Sequence, residues 1–426
     1  MTSNEGLLTK MASEGLYSRT PKREALWAVI DQGSVSAGNF LTSLIVARYL
    51  SSEDYGTFSL LFLALLSLNT LHSSLVIYPL TLNVARNPNQ NGSDSIGSAL
   101  LHTIGVWVLS LIVLVALLER LARLDTFFSM AIAMLAWQLQ EVARRSLIAS
   151  TKVKAAILPD IVSYIGQSML LLFLRPQSLN AIFFYIAGTS TAAMTWQLAI
   201  LRPSLNNSFD STKVSASWKL GKYSLVANIL NMGLLQYPSW ALDYFNGRSA
   251  VASYQSLANL IGITNPILFS MSNILIPNIA RASIEGKQAA RRVLYKHGVL
   301  FGTFLVPVFV ILGLFPNQVM NMAYGHTSPY LSLAPLLRIF TITSVLLYLA
   351  TLIGAYEGGL GRPKTYMYCQ MAGFAALLTG GTLLIYRCNV RGAVFAGAIV
   401  AAVRMTAYYL LSRRADRDTQ RGQSSI

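Results

Sequence analysis

The sequence predicts an all-α polytopic membrane protein of about twelve transmembrane helices in two six-helix bundles. Three observations predict it. Of 426 residues, 54% are hydrophobic and only 12% are charged, where a soluble domain carries about a quarter charged residues, so most of the surface does not face water. Apolar runs return every 20–30 residues or so from Leu26 to Leu411, and a helix needs about 20 residues to cross a ~30 Å hydrocarbon core. The Lys and Arg residues then fall on alternating connections, as the positive-inside rule requires.

The predicted spans run over 26–48, 56–83, 96–118, 127–149, 156–174, 179–201, 220–243, 250–279, 295–315, 331–356, 365–386 and 392–412. The third, SIGSALLHTIGVWVLSLIVLVALL, is apolar throughout, whereas the first, seventh and eighth are polar enough to fall short of a strict hydropathy threshold. Between spans 1 and 2 the stretch ARYLSSEDYGTFSL (Ala47–Leu60) places Arg48, Glu53 and Asp54 together, which reads as a tight helical hairpin reaching water. Asp31, Gln32 and Asn39 interrupt the first span, and 25 residues precede it. Secretory h-regions are shorter and more purely apolar, so a retained first span is expected.

Twenty-four Lys and Arg residues lie on one side of this arrangement and seven on the other, with Arg338 and Arg404 inside spans. The even span count puts both termini in the cytoplasm. The domain reading is a cytoplasmic tail 1–25, a six-helix half 26–201, a cytoplasmic linker 202–219, a second half 220–412 and a cytoplasmic tail 413–426. A net charge of +16 would suggest nucleic acid in a soluble protein; topology accounts for the sign here, and no nucleic-acid partner is expected. Cys369 and Cys388 stand nineteen positions apart on one predicted helix, about 28 Å at 1.5 Å per residue, and bridging needs Cα atoms within about 7 Å. Two buried free thiols are expected. His72, His102 and His297 lie on different spans without metal-ligand spacing, and neither metal nor cofactor is expected.

Lipid-facing helices have no use for amides, yet spans 1, 2, 7 and 8 carry them. Gln32, Ser36, Asn39 and Ser43 recur on one helical face. Asn69 and His72 lie three apart, Ser224, Asn228 and Asn231 repeat the pattern, and Gln255 and Asn259 follow on span 8. Interhelical hydrogen bonding, worth about 1 kcal/mol or less per contact, is one reading of each. Their concentration in the first hairpin of each half favours a hydrated central path lined by Gln32, Asn39, Asn69, Asn228, Asn231, Gln255 and Asn259. Intramembrane carboxylates are expensive unless used. Glu141 has Arg144 and Arg145 at i+3 and i+4, and Asp160 has Lys152 and Lys154 nearby as expected partners. Asp31 has no basic neighbour along its own helix, so Asp31, with Glu141, is the candidate for binding a coupling cation or proton.

DQGSVSAGNFLTSLIVARYLSSEDYGTFSL (Asp31–Leu60) resembles the opening hairpin of bacterial polysaccharide and O-antigen flippases, in which the first helix ends in an Arg-x-Leu turn followed by an acidic residue, Tyr-Gly and Phe. EVARRSLIASTKVKAAILPDIVSY (Glu141–Tyr164), NILIPNIAR (Asn273–Arg281) and GGLGRPKT (Gly358–Thr365) resemble later landmarks of that family, and the likeness spans essentially the whole chain. The resemblance implies the multidrug/oligosaccharidyl-lipid/polysaccharide exporter superfamily, a V-shaped pair of bundles in the bacterial inner membrane, and transport of a polyprenyl-pyrophosphate-linked oligosaccharide to the periplasmic leaflet by alternating access. Glycosyltransferases and a polymerase of the same pathway are the implied partners. Arg48, Arg144 and Arg145, at helix ends, are the candidate phosphate contacts, because Arg presents planar donors suited to phosphate. Lys and Arg are absent from the middle of spans 1, 2, 7 and 8, which departs from the cationic lumen of the lipid II branch. Two rival readings are a cation-coupled multidrug exporter of the same superfamily and a membrane-embedded polymerase or ligase. The latter needs a large exoplasmic loop, but the longest, Pro316 to Tyr330, offers only His326, so the chain is read as a transporter and not an enzyme.

Overall fold

A computed structural model describes residues 22–86, 92–150, 152–202 and 211–423. The tail before residue 22, residues 203–210 of the linker and the last three residues lie outside the described residues, as does the side chain of Ser224. The described residues form long helical segments joined by short turns, with no strand among them. We name these α1 (Lys22–Tyr49), α2 (52–86), α3 (Gly92–Arg120), α4 (Phe127–Ala149), α5 (Val153–Leu174), α6 (Leu179–Leu201), α7 (Ser211–Asn246), α8 (248–284), α9 (Lys287–Leu314), α10 (Ala334–Gly359), α11 (363–388) and α12 (390–423). Each predicted span lies on one of them.

Six segments are long and apolar enough to cross a membrane, namely α2, α3, α5, α9, α10 and the continuous α11–α12 pair. As expected, α1, α7 and α8 fall short of that threshold; α4 and α6 do as well. On α4 the reason is visible in Glu141, Arg144 and Arg145, of which the bundle buries the first two. The outward faces are apolar where lipid would lie: Leu109 is 67% exposed, Ile112 71% and Phe173 76%.

The helices are interrupted where the sequence weakens the regular hydrogen-bond ladder. A π-helical turn at Ser73–Ile77 divides α2 and another at Ile161–Ile165 follows Pro159 in α5; proline removes a donor and crowds the preceding turn. Helix α8 breaks between Gly262 and Asn265 into two pieces, with Pro266 opening the second. At Asn389 (φ 55°) the chain reverses from α11 into α12. There Gly392 lies so close to the Leu384 carbonyl that a Cβ would sit 1.9 Å from it, so the turn needs a glycine. The connection 316–330, read from sequence as a loop, instead forms a short helix, Pro316–Tyr324, and a 3₁₀ turn, Pro329–Leu333.

Packing sorts the segments into two groups. Helix α4 lies along α6, and α1 along α5, in the first; α10 pairs with α12, and α8 with α9, in the second. The seam between the groups is made by α1, α2, α7 and α8, with α2 packed extensively against both α7 and the first piece of α8. The second piece of α8 turns away to α9 and α10 and barely meets α1. One end of the molecule carries Arg48, Arg248 and Gly325; the opposite end, which we call the basic end, carries Arg145, Arg281 and Arg362.

Candidate functional site

The ionisable groups within the first bundle converge on Arg144. On α4, Trp137, Gln140, Glu141 and Arg144 fall three or four residues apart and share one face. That face meets Asp160, Ser163 and Tyr164 of α5, Asp31 of α1 and Gln197 of α6. The Arg144 side chain is 2% exposed and binds three carboxylates: Nη2 donates to Asp31 Oδ2 at 2.5 Å, Nη1 to Glu141 Oε1 at 3.0 Å, and Nε to Asp160 Oδ2 at 2.8 Å.

The surrounding amides hold the carboxylates in turn. Gln197 and Gln140 donate to Asp160 Oδ1 at 2.9 and 3.4 Å, and Ser163 donates to Gln140 at 2.8 Å. Trp137 donates to the Tyr164 hydroxyl at 3.0 Å, which donates to Glu141 at 3.3 Å. The second Glu141 oxygen accepts from Arg145 Nε at 3.1 Å, and the Arg145 side chain is 42% exposed. Three carboxylates thus share two guanidiniums, one buried and one reaching water. Asp31 Oδ1 is buried with no hydrogen-bond partner. In a low-dielectric interior an unmatched buried charge is costly, and the cluster holds one carboxylate more than its guanidiniums balance.

Local packing positions Asp31. At Gly38, two turns along α1, an added Cβ would come 2.5 Å from Tyr164. Ser168 donates to the Gly38 carbonyl at 3.0 Å, and Thr42 bonds to both Ser168 (3.2 Å) and Gln167 (2.7 Å). The small residues GSVSAG let α1 approach α5 backbone to backbone, and that approach delivers Asp31 to Arg144. The π turn following Asp160 re-aims the same stretch of α5, a distortion that collects at functional sites.

Several expectations change. Asp160 pairs with Arg144 and not with Lys152 or Lys154, because the buried face of α5 turns it inward while Lys154 is exposed and lies over Trp27. Asp31, unpaired along its own helix, is paired across helices, 113 positions away. Glu141 bridges both arginines at i+3 and i+4. Arg144, read as a phosphate contact, has its guanidinium taken up by carboxylates in this conformation. Gln140, Gln197 and Trp137 were not singled out in the sequence; the i, i+3, i+4 spacing of Trp137, Gln140 and Glu141 was the signal available.

The polar residues of the seam fall into two sets. Gln32 and Asn231 are exposed. Asn39, Asn69, Asn228, Gln255 and Asn259 are half-buried, and the side-chain Oδ1 of Asn69 lacks a partner. Across the seam Asn228 donates to Ser74 at 2.9 Å, Ser67 to Gln236 at 2.8 Å and Asn259 to the Phe40 carbonyl at 3.4 Å. Gln255 stays within its own bundle, donating to Ser239 at 2.7 Å. The amides therefore also serve as contacts between the bundles.

At the end opposite the basic one, two arginines cross the seam. Arg48 donates through Nε to the Ala323 carbonyl at 2.6 Å and through Nη2 to the Met322 carbonyl, capping the short helix Pro316–Tyr324. Arg248 donates to the Leu121 carbonyl beyond α3 and to Thr57 at 3.3 Å. Gly56 lies directly on the Arg248 backbone, where a Cβ would sit 2.0 Å from the carbonyl oxygen. Tyr55 and Tyr330 meet edge to face at 6.0 Å. Arg48, read as a phosphate contact, is engaged in this latch.

Among the described residues no group of three or more His, Cys, Asp or Glu side chains could hold a metal ion. Cys369 is buried and Cys388 exposed, both as free thiols.

No family model and no curated protein matches the chain. Solved structures do. An inward-facing multidrug resistance MATE family transporter of the MOP superfamily is similar over 97% of this chain and 99% of its own, with 11% identity and a TM-score of 0.66. The inward closed conformation of the lipid II flippase MurJ is similar over 91% and 87%, with 10% identity and a TM-score of 0.67. A MOP superfamily transporter from Pyrococcus furiosus Vc1 is similar over 92% and 94%, with 10% identity and a TM-score of 0.62. The chain has the fold these transporters share, that of a multi-pass membrane protein.

Proposed function

We propose that the chain is a flippase that carries a lipid-linked oligosaccharide, its head a sugar on polyprenyl pyrophosphate, from the cytoplasmic to the periplasmic leaflet by alternating access. The observation that carries the substrate reading is the seam itself: apart from the two arginines at one end, its side-chain polar contacts come from amides and hydroxyls of α2, α7 and α8, groups suited to sugar hydroxyls. The lipid-linked cargo also draws on the fold shared with a lipid II flippase. In this reading the two halves, 26–201 and 220–412, rock about the seam, with the cytoplasmic linker 202–219 between them and the tails 1–25 and 413–426 in the cytoplasm. The exposed Arg145 is the phosphate contact nearest the basic end. Arg48 and Arg144 become free for phosphate only in another conformation. Asp31, with Glu141, accepts the coupling proton or cation.

The protein is placed in the bacterial inner membrane beside the glycosyltransferases and polymerase that make and consume such a cargo. Purified protein in liposomes, supplied with a fluorescent polyprenyl-pyrophosphate oligosaccharide, should make the label accessible to a membrane-impermeant quencher on the opposite side. Reporter fusions at Lys287 should be cytoplasmic and at Gly325 periplasmic; the reverse would end this orientation.

A second reading, a cation-coupled multidrug exporter, is favoured by one observation, the surplus buried carboxylate. Export of a lipophilic cation with no movement of the oligosaccharide would select it.

A further inference from the structure

A pocket outside the seam and outside the Arg144 cluster opens at the basic end. It has a volume of about 440 Å³ and lies between the second piece of α8 and the start of α9, lined among others by Asn278, Arg281, Glu285, Arg292 and His297. Asn278, Arg281 and Glu285 are spaced three and four apart and so share a face of α8, and Arg292 and His297 answer from α9 across the tight turn at Gly286 (φ 115°). Sites for small ligands begin at about 300 Å³, so a phosphate-sized head fits with room for a glycerol. The His297 Nδ1 is tied to the Val293 carbonyl at 2.9 Å, which fixes the ring and leaves Nε2 as its remaining polar atom.

The chemistry of the lining is that of an anion site at a lipid surface. The stretch 280–300 carries Arg281, Lys287, Arg291, Arg292 and Lys296 against a single acid, Glu285. Two planar guanidiniums facing one cavity suit the oxygens of a phosphate. The flanks are greasy and open: Ile284 is 87% exposed, Tyr295 71% and Val299 71%. A soluble anion would leave those side chains without a role, whereas acyl chains would cover them while the phosphate sits between the arginines. Basic pockets between transmembrane helices at a membrane face bind anionic headgroups on this principle.

We propose that the α8–α9 pocket binds the phosphate of an anionic membrane lipid in the leaflet at the basic end, joining α9 to the piece of α8 that turns away from the seam. The site is separate from any transported cargo, and its failure would leave the flippase reading intact.

The test uses the full chain in detergent with phosphatidylglycerol or phosphatidylcholine added, read by native mass spectrometry and by thermal unfolding. Wild type should retain phosphatidylglycerol and gain stability from it, and phosphatidylcholine should do neither. In Arg281→Gln/Arg292→Gln the apparent affinity for phosphatidylglycerol should fall about 30-fold, from about fivefold for each arginine at a membrane surface. Arg281→Lys/Arg292→Lys should keep part of it, which guards against a fold defect. Arg387→Gln/Arg391→Gln removes two exposed charges at the opposite end and should change nothing. Equal retention of phosphatidylglycerol by wild type and the Arg281/Arg292 glutamine variant would overturn the proposal. So would equal stabilisation by inorganic phosphate or pyrophosphate without lipid, which would assign the pocket to a free anion.

Discussion

Replacing Arg144 and replacing Asp31 should have opposite consequences, although the two side chains touch at 2.5 Å. Arg144→Leu strands Asp31 and Asp160 in a space where the guanidinium is 2% exposed and Asp160 wholly buried, and leaves Glu141 with Arg145 alone. Removing one partner of a buried pair costs about 3–5 kcal/mol, and three carboxylates lose their buried counter-charge here, so the upper part of that range is expected. Asp31→Asn leaves Arg144 with Glu141 and Asp160, keeps an oxygen to accept from Nη2, and removes the surplus charge of the cluster. It loses a charge-assisted hydrogen bond, worth about 1.5–3 kcal/mol, and regains much of that by relieving repulsion among the acids, for a net change within about 1 kcal/mol. Thermal unfolding in detergent, followed by tryptophan fluorescence, measures both. Transport in liposomes with and without a pH or sodium gradient then reads coupling, which Asp31→Asn should abolish while the protein stays folded. The double variant should be more stable than Arg144→Leu alone, because the cycle removes a stranded acid. If Asp31→Asn destabilises as much as Arg144→Leu, or if it transports with an unchanged gradient dependence, the surplus-carboxylate reasoning fails.

The latch and the seam give further outcomes. Arg48→Ala with Arg248→Ala removes charge-assisted bonds to backbone carbonyls worth about 1.5–3 kcal/mol each; a cysteine at Tyr330, 2% exposed, should then label faster with an impermeant thiol reagent, and unchanged labelling would remove the latch from the closing of that end. Gly56→Ala puts a methyl 2.0 Å from the Arg248 carbonyl and should cost about 1–3 kcal/mol by overpacking, with loss of transport; wild-type stability and activity would mean α2 and α8 do not need this approach. With Cys369 and Cys388 replaced, single cysteines at Asn39, Asn228, Asn231 and Asn259 should react with a water-requiring thiol reagent, while Leu109 and Leu305 should not. Equal protection of both sets would reduce the seam amides to contacts between helices.

Composition and periodicity suffice for the all-α membrane class, the number of spans and the weakness of α1, α7 and α8, because each follows from local hydropathy over about 20 residues. The i+3 and i+4 neighbours of Glu141 were legible for the same reason: helix geometry alone brings them together. The partners of Asp31 were not, since Arg144 lies 113 positions away and only the close approach of α1 to α5 at Gly38 joins them. The same holds for Arg48, whose acceptors are backbone carbonyls of a short helix some 275 positions on, and backbone carbonyls carry no mark in the sequence. Local spacing thus determines which residues share a helix face. Which faces meet is decided by packing over the whole chain, and it was packing that turned two arginines read as phosphate contacts into a latch and the centre of a buried charge cluster.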